Sequence, residues 1–224
     1  MEVKFIDKMG SDLSVVNAAR VSFAKKSQWE IIPDAGPVEG LLTYDDERLI
    51  KYLARHNHWS PFGHASMQFH IKAPVFVARQ LVKHQVGLVW NEVSRRYVDD
   101  EVVFYAPEEW RGAPENSKQG SSSEVIDINP HHRMVDEYQS VCNLAKWTYE
   151  YLLGRGVAPE QARMVLPQSM MTEWYWSGTL MAFARVCNLR CKPDTQLETQ
   201  MVANQIDEVG EEYFPVSWKA LRDG

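Results

Sequence analysis

Ser66-Met67-Gln68-Phe69-His70-Ile71-Lys72 alternates apolar and polar side chains one residue at a time. A strand sends successive side chains to opposite faces, so this period-two run reads as a half-buried strand. Pro74 follows it and suits the first turn of a helix, predicted from Val75 to about His84. Upstream, residues 2–7 also alternate, and Ser11 opens a helix through about Phe23. Residues 25–42 hold Pro33, Gly36, Pro37 and Gly40 and read as a loop. Thr43-Tyr44-Asp45-Asp46-Glu47 then starts a helix to about His56, with Leu49, Ile50 and Leu53 facing inward.

Downstream, Asn91–Tyr97 and Glu101–Tyr105 are short β-like runs around an Asp99-Asp100 turn signal. Residues 106–130 are rich in Pro, Gly and Ser, which suits either a surface loop or an active-site lid. A long helix is expected from about Asn129 to Leu153, closed by Gly154 and Gly156, and a short one from Pro159 to Met164. Gln168–Trp176 reads as extended, and Ser177 or Thr179 begins a helix to about Leu189. Thr195-x-x-Glu198 has the form of a capping box. It precedes a last helix with Leu197, Met201, Val202, Ile206, Val209 and Tyr213 along one stripe. Helices bracket a few non-contiguous strands without βαβ alternation. The expected class is α+β, helices around a small, mostly antiparallel sheet in one domain spanning 1–224.

The chain has 224 residues, a formal net charge of -6 and a pI near 5.7. That length supports one sizeable core. No window approaches the roughly 20 apolar residues of a membrane-spanning helix. Met1–Lys8 carries charges throughout, unlike a signal peptide. Three cysteines, Cys142, Cys187 and Cys191, form an odd set in a chain too large to need disulfides, as expected in a reducing cytoplasm. Eight Trp and nine Tyr point to aromatic-rich packing.

Against this acidic background stands a basic cluster. Arg79, Lys83, Arg95 and Arg96, with His84 and Glu92, lie within 18 residues of sequence. A local basic patch in an acidic chain concentrates a small anionic ligand, whereas a polyanion calls for a broad positive face. Glu92, Ser94 and Arg96 fall on one face of a strand by period two, a set suited to a sugar phosphate. His56, His58 and His64 invite a zinc reading, but their spacing fits no common tetrahedral set and no Cys or acidic residue lies among them. Cys187 and Cys191, four apart, read as a metal or redox pair or as small buried side chains. Arg163 and Arg190 each sit in apolar surroundings, either snorkelling to water or recognising a buried anion or carbonyl.

Several of these motifs occur together and in order. They are His58-x-Ser60-Pro61-Phe62-x-His64, Gln80-x-x-Lys83-His84-Gln85 with Ser94 beyond it, Arg96-Tyr97, Ala162-Arg163-x-x-Leu166-Pro167, and Asn188-Leu189-Arg190 leading to Gln196-x-Glu198. In this the chain resembles the flavin-dependent thymidylate synthases, over roughly residues 56–198. It departs from that family's Arg-His-Arg signature, reading Lys83-His84-Gln85. It also has Thr179-Leu180-Met181 where many members carry Asn-x-Arg, with Arg185 one turn further along.

The resemblance implies reductive methylation of dUMP to dTMP, with FAD as cofactor and NADPH and methylenetetrahydrofolate as co-substrates. It implies a homotetramer whose active sites draw on several subunits, acting on small molecules rather than a nucleic-acid polymer or a membrane. By the same resemblance His58, Ser60, Lys83, His84, Gln85, Asn91, Glu92 and Arg185 hold FAD. Gln80, Leu81, Val82, Lys83, Glu92, Val93, Ser94, Arg95, Arg96, Arg163 and Arg190 hold dUMP, with Arg163 supplied by a neighbouring subunit. Arg190 is the expected catalytic residue, set against the uracil ring, and no metal is expected. The cysteines lack the Pro-Cys-His setting of folate-only thymidylate synthases. Two other readings compete: a nucleic-acid-binding module on residues 79–96, whose binding would weaken steeply with salt, and a zinc hydrolase on the three histidines.

Overall fold

The computed structural model describes residues 1–30, 40–98, 100–115, 120–126 and 133–223. Pro33, Gly36, Pro37, Asp99, part of the 106–130 segment and the expected start of the long helix at Asn129 lie outside them. The elements run β1 (Glu2–Met9), α1 (Asp12–Arg20), α2 (Tyr44–Arg55), β2 (Ser66–Pro74), α3 (Val75–Leu81), β3 (Leu88–Glu92), α4 (Arg133–Gly154), α5 (Pro159–Ala162), β4 (Met171–Thr179), α6 (Leu180–Arg190), α7 (Leu197–Tyr213) and α8 (Pro215–Arg222). The strands form one antiparallel sheet in the order β1-β2-β4-β3. The architecture is α+β.

The alternation in β2 fixes which face of the sheet is buried. Met67, Phe69, Ile71 and Ala73 point into the core, while Gln68, His70 and Lys72 point away. Register then lines up Phe5, Phe69, Trp176 and Trp90 across all four strands. This aromatic row is the spine of the core, because cross-strand aromatic neighbours pack on one another. Phe183 of α6 closes over it, its ring 5.0 Å from Phe69 and 5.2 Å from Trp176. On the outer face His70 stacks on Tyr175 at 4.9 Å, and Gln68 donates to Ser177 Oγ at 2.9 Å.

Long-range polar contacts fasten the helices. Asp12 is buried at the start of α1 and accepts from the backbone N–H of Val216 (3.0 Å) and Ser217 (2.9 Å), capping α8. Burial pushes its carboxyl above the usual range. In α7, Gly210 faces Trp218, and a Cβ there would overlap the Trp218 ring. A second, smaller core of Val102, Tyr149 and Ala162 joins α4 and α5 to the segment after β3.

Several expectations need correction. α3 ends at Leu81 rather than His84, so Lys83 and His84 occupy the turn beyond it. β3 ends at Glu92, one last backbone bond to β4 runs from Val93 N–H to Glu173 O, and Tyr97 N–H donates to Ser94 O in a turn. Glu92, Ser94 and Arg96 therefore do not share a strand face. Glu101–Tyr105 forms only an isolated bridge, Phe104 to Met170. α7 has Gln196 at its N-cap with no side-chain cap, because Glu198 is drawn to Arg111 (2.6 Å) and Thr195 Oγ donates to Leu189 O. Leu197 and Met201 are exposed, and the buried stripe runs through Val202, Ala203, Ile206 and Gly210. α8 lies beyond the elements expected from the sequence.

Candidate active site

The candidate residues fall on three separate recesses. The first lies where the turn after α3 meets the end of α6. Thr179 caps α6 by accepting from Ala182 N–H (3.2 Å), and the helix carries Arg190 to its last position. There Arg190 Nε donates to His84 Nε2 at 3.0 Å, and Nη2 donates to Gln80 O at 3.4 Å. Gly87 adopts a φ of +78° to turn the chain from His84 into β3, and a Cβ there would lie 3.0 Å from Thr179 Oγ1. Gln80 also bonds Gln196, just before α7. Gln80, Arg190, Thr195 and Gln196 line a cavity of about 320 Å³.

The electrostatics of this recess follow from the geometry. Burial, and then the Arg190 charge, hold the His84 imidazole below its ordinary value of 6.5. His84 is thus neutral at pH 7, with Nε2 as the acceptor. Burial also lowers Arg190 somewhat. The result is a fixed cation in the cavity wall, suited to carbonyl oxygens or a delocalised anion.

The second recess, about 570 Å³, brings together Arg79, Arg95 and Arg163 with Glu92 and Val93. Glu92 is anchored, accepting from Thr172 Oγ1 at 2.8 Å and Trp90 Nε1 at 3.2 Å. Arg95 reaches the backbone carbonyls of Asp100 and Glu101, which closes the turn after β3. Three guanidinium groups around one hollow suit a phosphate.

The third recess is the largest of these, about 890 Å³, and holds His58 and Ser60 beside Arg20, Lys25, Tyr52 and Trp59. Arg20 is committed to buried Asp46, its Nε at 2.8 Å, and Ser27 Oγ donates to the same carboxylate at 2.8 Å. Exposed Tyr52 and Trp59 rings and a lysine suit a flat heteroaromatic group bearing phosphate. His56 packs on Tyr52, ring centroids 4.3 Å apart, and His58 lies edge-on to it at 5.9 Å. Among the described residues no three His, Cys, Asp or Glu side chains gather to hold a metal.

The remaining candidates are scattered. Lys83 and Gln85 lie in the turn, Asn91 is exposed on β3, and Arg185 is exposed on α6. Leu81 is fully buried, inside the core rather than at any recess, while Val82 is half-buried. Ser94 Oγ accepts from Arg96 Nε at 3.2 Å. Sequence reasoning left Arg79, Gln196, Arg20, Lys25, Tyr52 and Trp59 out of the site. Arg79 lay in the basic cluster, Trp59 between His58 and Ser60, and Gln196 in a quoted motif, so all three were within reach; Arg20, Lys25 and Tyr52 join His58 only through contacts between separate segments.

Residues 4–216 match the model of the thymidylate synthase complementing protein family. The chain belongs to that family. Curated relatives agree in extent. A flavin-dependent thymidylate synthase of Thermus thermophilus is 37% identical over 222 residues, covering 99% of this chain and 75% of the relative. Another from Kosmotoga olearia is 37% identical over 220 residues, covering 98% and 89%. Among solved structures, the UMP/dUMP methylase PolB from Streptomyces cacaoi, bound with 5-Br dUMP, aligns with a TM-score of 0.79 at 32% identity. That alignment covers 99% of this chain and 94% of PolB. No helix among the described residues is long and apolar enough to cross a membrane.

Proposed function

We propose that this chain is a flavin-dependent thymidylate synthase that reductively methylates dUMP to dTMP. The methylene carbon comes from methylenetetrahydrofolate, and FAD, kept reduced by NADPH, supplies the hydride when bound. The observation that carries the reading is Arg190, pinned by His84 and Gln80 O at the mouth of a cavity. A guanidinium fixed there stabilises negative charge developing on a pyrimidine ring and its carbonyls. Arg79, Arg95 and Arg163 grip the nucleotide phosphate, with Ser94 and Arg96 at its edge. Ser94 serves as a ligand rather than a nucleophile: His84 already accepts from Arg190, so its Nε2 is not available to take the Ser94 proton.

His58, Ser60 and Lys25, with the Tyr52 and Trp59 rings, fit FAD by chemistry and room, with Lys83, His84, Gln85, Asn91, Glu92 and Arg185 completing its surroundings. One protomer spreads these groups over three recesses. We therefore assign a homotetramer in which neighbouring copies bring them together. Unpartnered apolar surface supports assembly: on α4, Val141, Leu144, Trp147 and Tyr151 are each at least half exposed along one face. The chain acts in the cytoplasm on small molecules.

The structural neighbour bound to 5-Br UMP, PolB at TM-score 0.79 and 29% identity, favours a second substrate, the ribonucleotide UMP. Both points are tested by one titration. The purified protein is expected to show a flavin absorbance spectrum that dUMP perturbs, and UMP perturbs more weakly. Absence of flavin, or a spectrum indifferent to both nucleotides, counts against the reading.

A further inference from the structure

The cysteines are outside the proposed chemistry, yet two of them flank Arg190. Cys187 lies in the last turn of α6, and Cys191 is the C-cap that directly follows Arg190. The Cys187 thiol is fully buried and approaches Ala203 O at 3.6 Å, while Cys191 is half-buried. Cys191 follows Cys187 by four residues, one helical turn on at the open end of α6. Both lie near Arg222, which is itself held by Asp207 (2.8 Å) and Asn188, and near the Asp207 carboxylate. Cys142 is remote, on α4 beside Ser169.

We propose that Cys191 and Cys187 are a peroxide-sensitive dithiol whose closure to a disulfide displaces Arg190 and switches the site off. The roles of the two thiols differ. Burial pushes the Cys187 thiol well above its usual range, whereas the neighbouring Cys187 draws Cys191 below it. Cys191, half-buried at the helix end, is the thiol that peroxide reaches first, and fully buried Cys187 is the resolving thiol, a pairing typical of redox-sensing cysteines. Cys191 sulfur attacks one oxygen of hydrogen peroxide, breaking the O–O bond and giving a sulfenic acid and one water. Cys187 sulfur then attacks the sulfenic sulfur, expelling a second water and forming the S–S bond. Two thiols are oxidised and one peroxide is reduced.

The bridge cannot form with the helix end intact. Residues four apart on a helix keep their Cβ atoms about 5–6 Å apart, and a disulfide requires roughly 3.5–4.5 Å. Closure must open the last turn, losing the 3.0 Å bond from Cys191 N–H to Cys187 O. Arg190, one residue before Cys191, then leaves His84 and Gln80 O.

The test treats the full-length, flavin-loaded protein with a modest excess of hydrogen peroxide, then alkylates and digests it with trypsin. The fragment ending at Arg190 and the one beginning at Cys191 are expected to stay joined until dithiothreitol is added. Turnover of dUMP, an arm that rests on the function proposed above, is expected to fall at least tenfold and to recover with dithiothreitol. Cys142→Ser should respond like the native protein and Cys191→Ser should not respond; in Cys187→Ser the sulfenic acid on Cys191 should persist and be trapped by dimedone. Separate fragments after peroxide, or joined fragments with undiminished turnover, overturn the proposal. A preparation making no dTMP before oxidation refutes the functional reading instead, and the fragment analysis still decides the cross-link.

Discussion

Arg190 Nε donates to His84 Nε2 at 3.0 Å, joining the end of α6 to the turn after α3 across 106 residues of sequence. This bond sets the direction of the guanidinium, because a neutral imidazole is the acceptor that keeps it from turning toward solvent. Replacing Arg190 with Ala should lower kcat for dTMP formation by about 100- to 1000-fold, the range for removal of one well-aimed donor. The variant should keep its flavin spectrum, which separates lost catalysis from lost fold.

The same bond gives a pH dependence. His84 has a folded pKa below its ordinary 6.5, from burial first and Arg190 second. The stability that neutral His84 contributes is present above that unfolded value and is lost as pH falls through the lower folded one. Protonation also removes the acceptor and sets two cations together. Turnover should show an acid limb below pH 6.5 that is displaced in His84→Gln, measured as kcat against pH.

Arg111 and Glu198 form a part-buried ion pair at 2.6 Å, tying the segment before residue 116 to the start of α7. Burial alone would raise the Glu198 carboxyl, but the Arg111 hydrogen bond and charge bring it below its usual 4.5. Its contribution is present above pH 4.5 and is lost as pH falls through the lower folded value. Arg111→Ala strands a buried charge and should destabilise by about 3–5 kcal/mol. Glu198→Gln should cost less, both read from urea midpoints.

Gly210→Ala forces a methyl against the Trp218 ring where α7 meets α8. Overpacking of this kind costs about 1–3 kcal/mol. A lowered Tm with unchanged kcat is expected, since α8 takes no part in the site.

A shared site makes a sharper demand. Arg163→Ala and Arg190→Ala should each be nearly inactive alone, yet mixed tetramers from co-expression should recover turnover, because some sites then hold both native arginines. No recovery would place both arginines in the same-chain site.

Much of this was legible in the chain because the signals are local. Period two in 66–72 gave β2 and its buried face, Thr43 and Thr179 marked helix starts, and the family resemblance named Glu92, Val93, Arg95 and Arg163, which line one recess. What stayed hidden depends on distant partners. Thr195-x-x-Glu198 has the capping pattern, but Arg111 takes the carboxylate from 87 residues away. α8 begins where Asp12 caps it, 204 residues from Val216. β3 gives way to a turn at Ser94–Tyr97 just past its last bond to β4, which no alternation in Asn91–Tyr97 reveals. The division of candidates among three recesses is a property of tertiary packing alone.

The most direct measurement follows the folate product while dUMP, methylenetetrahydrofolate and NADPH are turned over. If the hydride reaches the transferred carbon from the flavin, folate is not oxidised: each dTMP should appear with one NADPH consumed and one tetrahydrofolate. Dihydrofolate formed in step with dTMP, with NADPH untouched, would mean that folate gave the hydride, and would contradict the account.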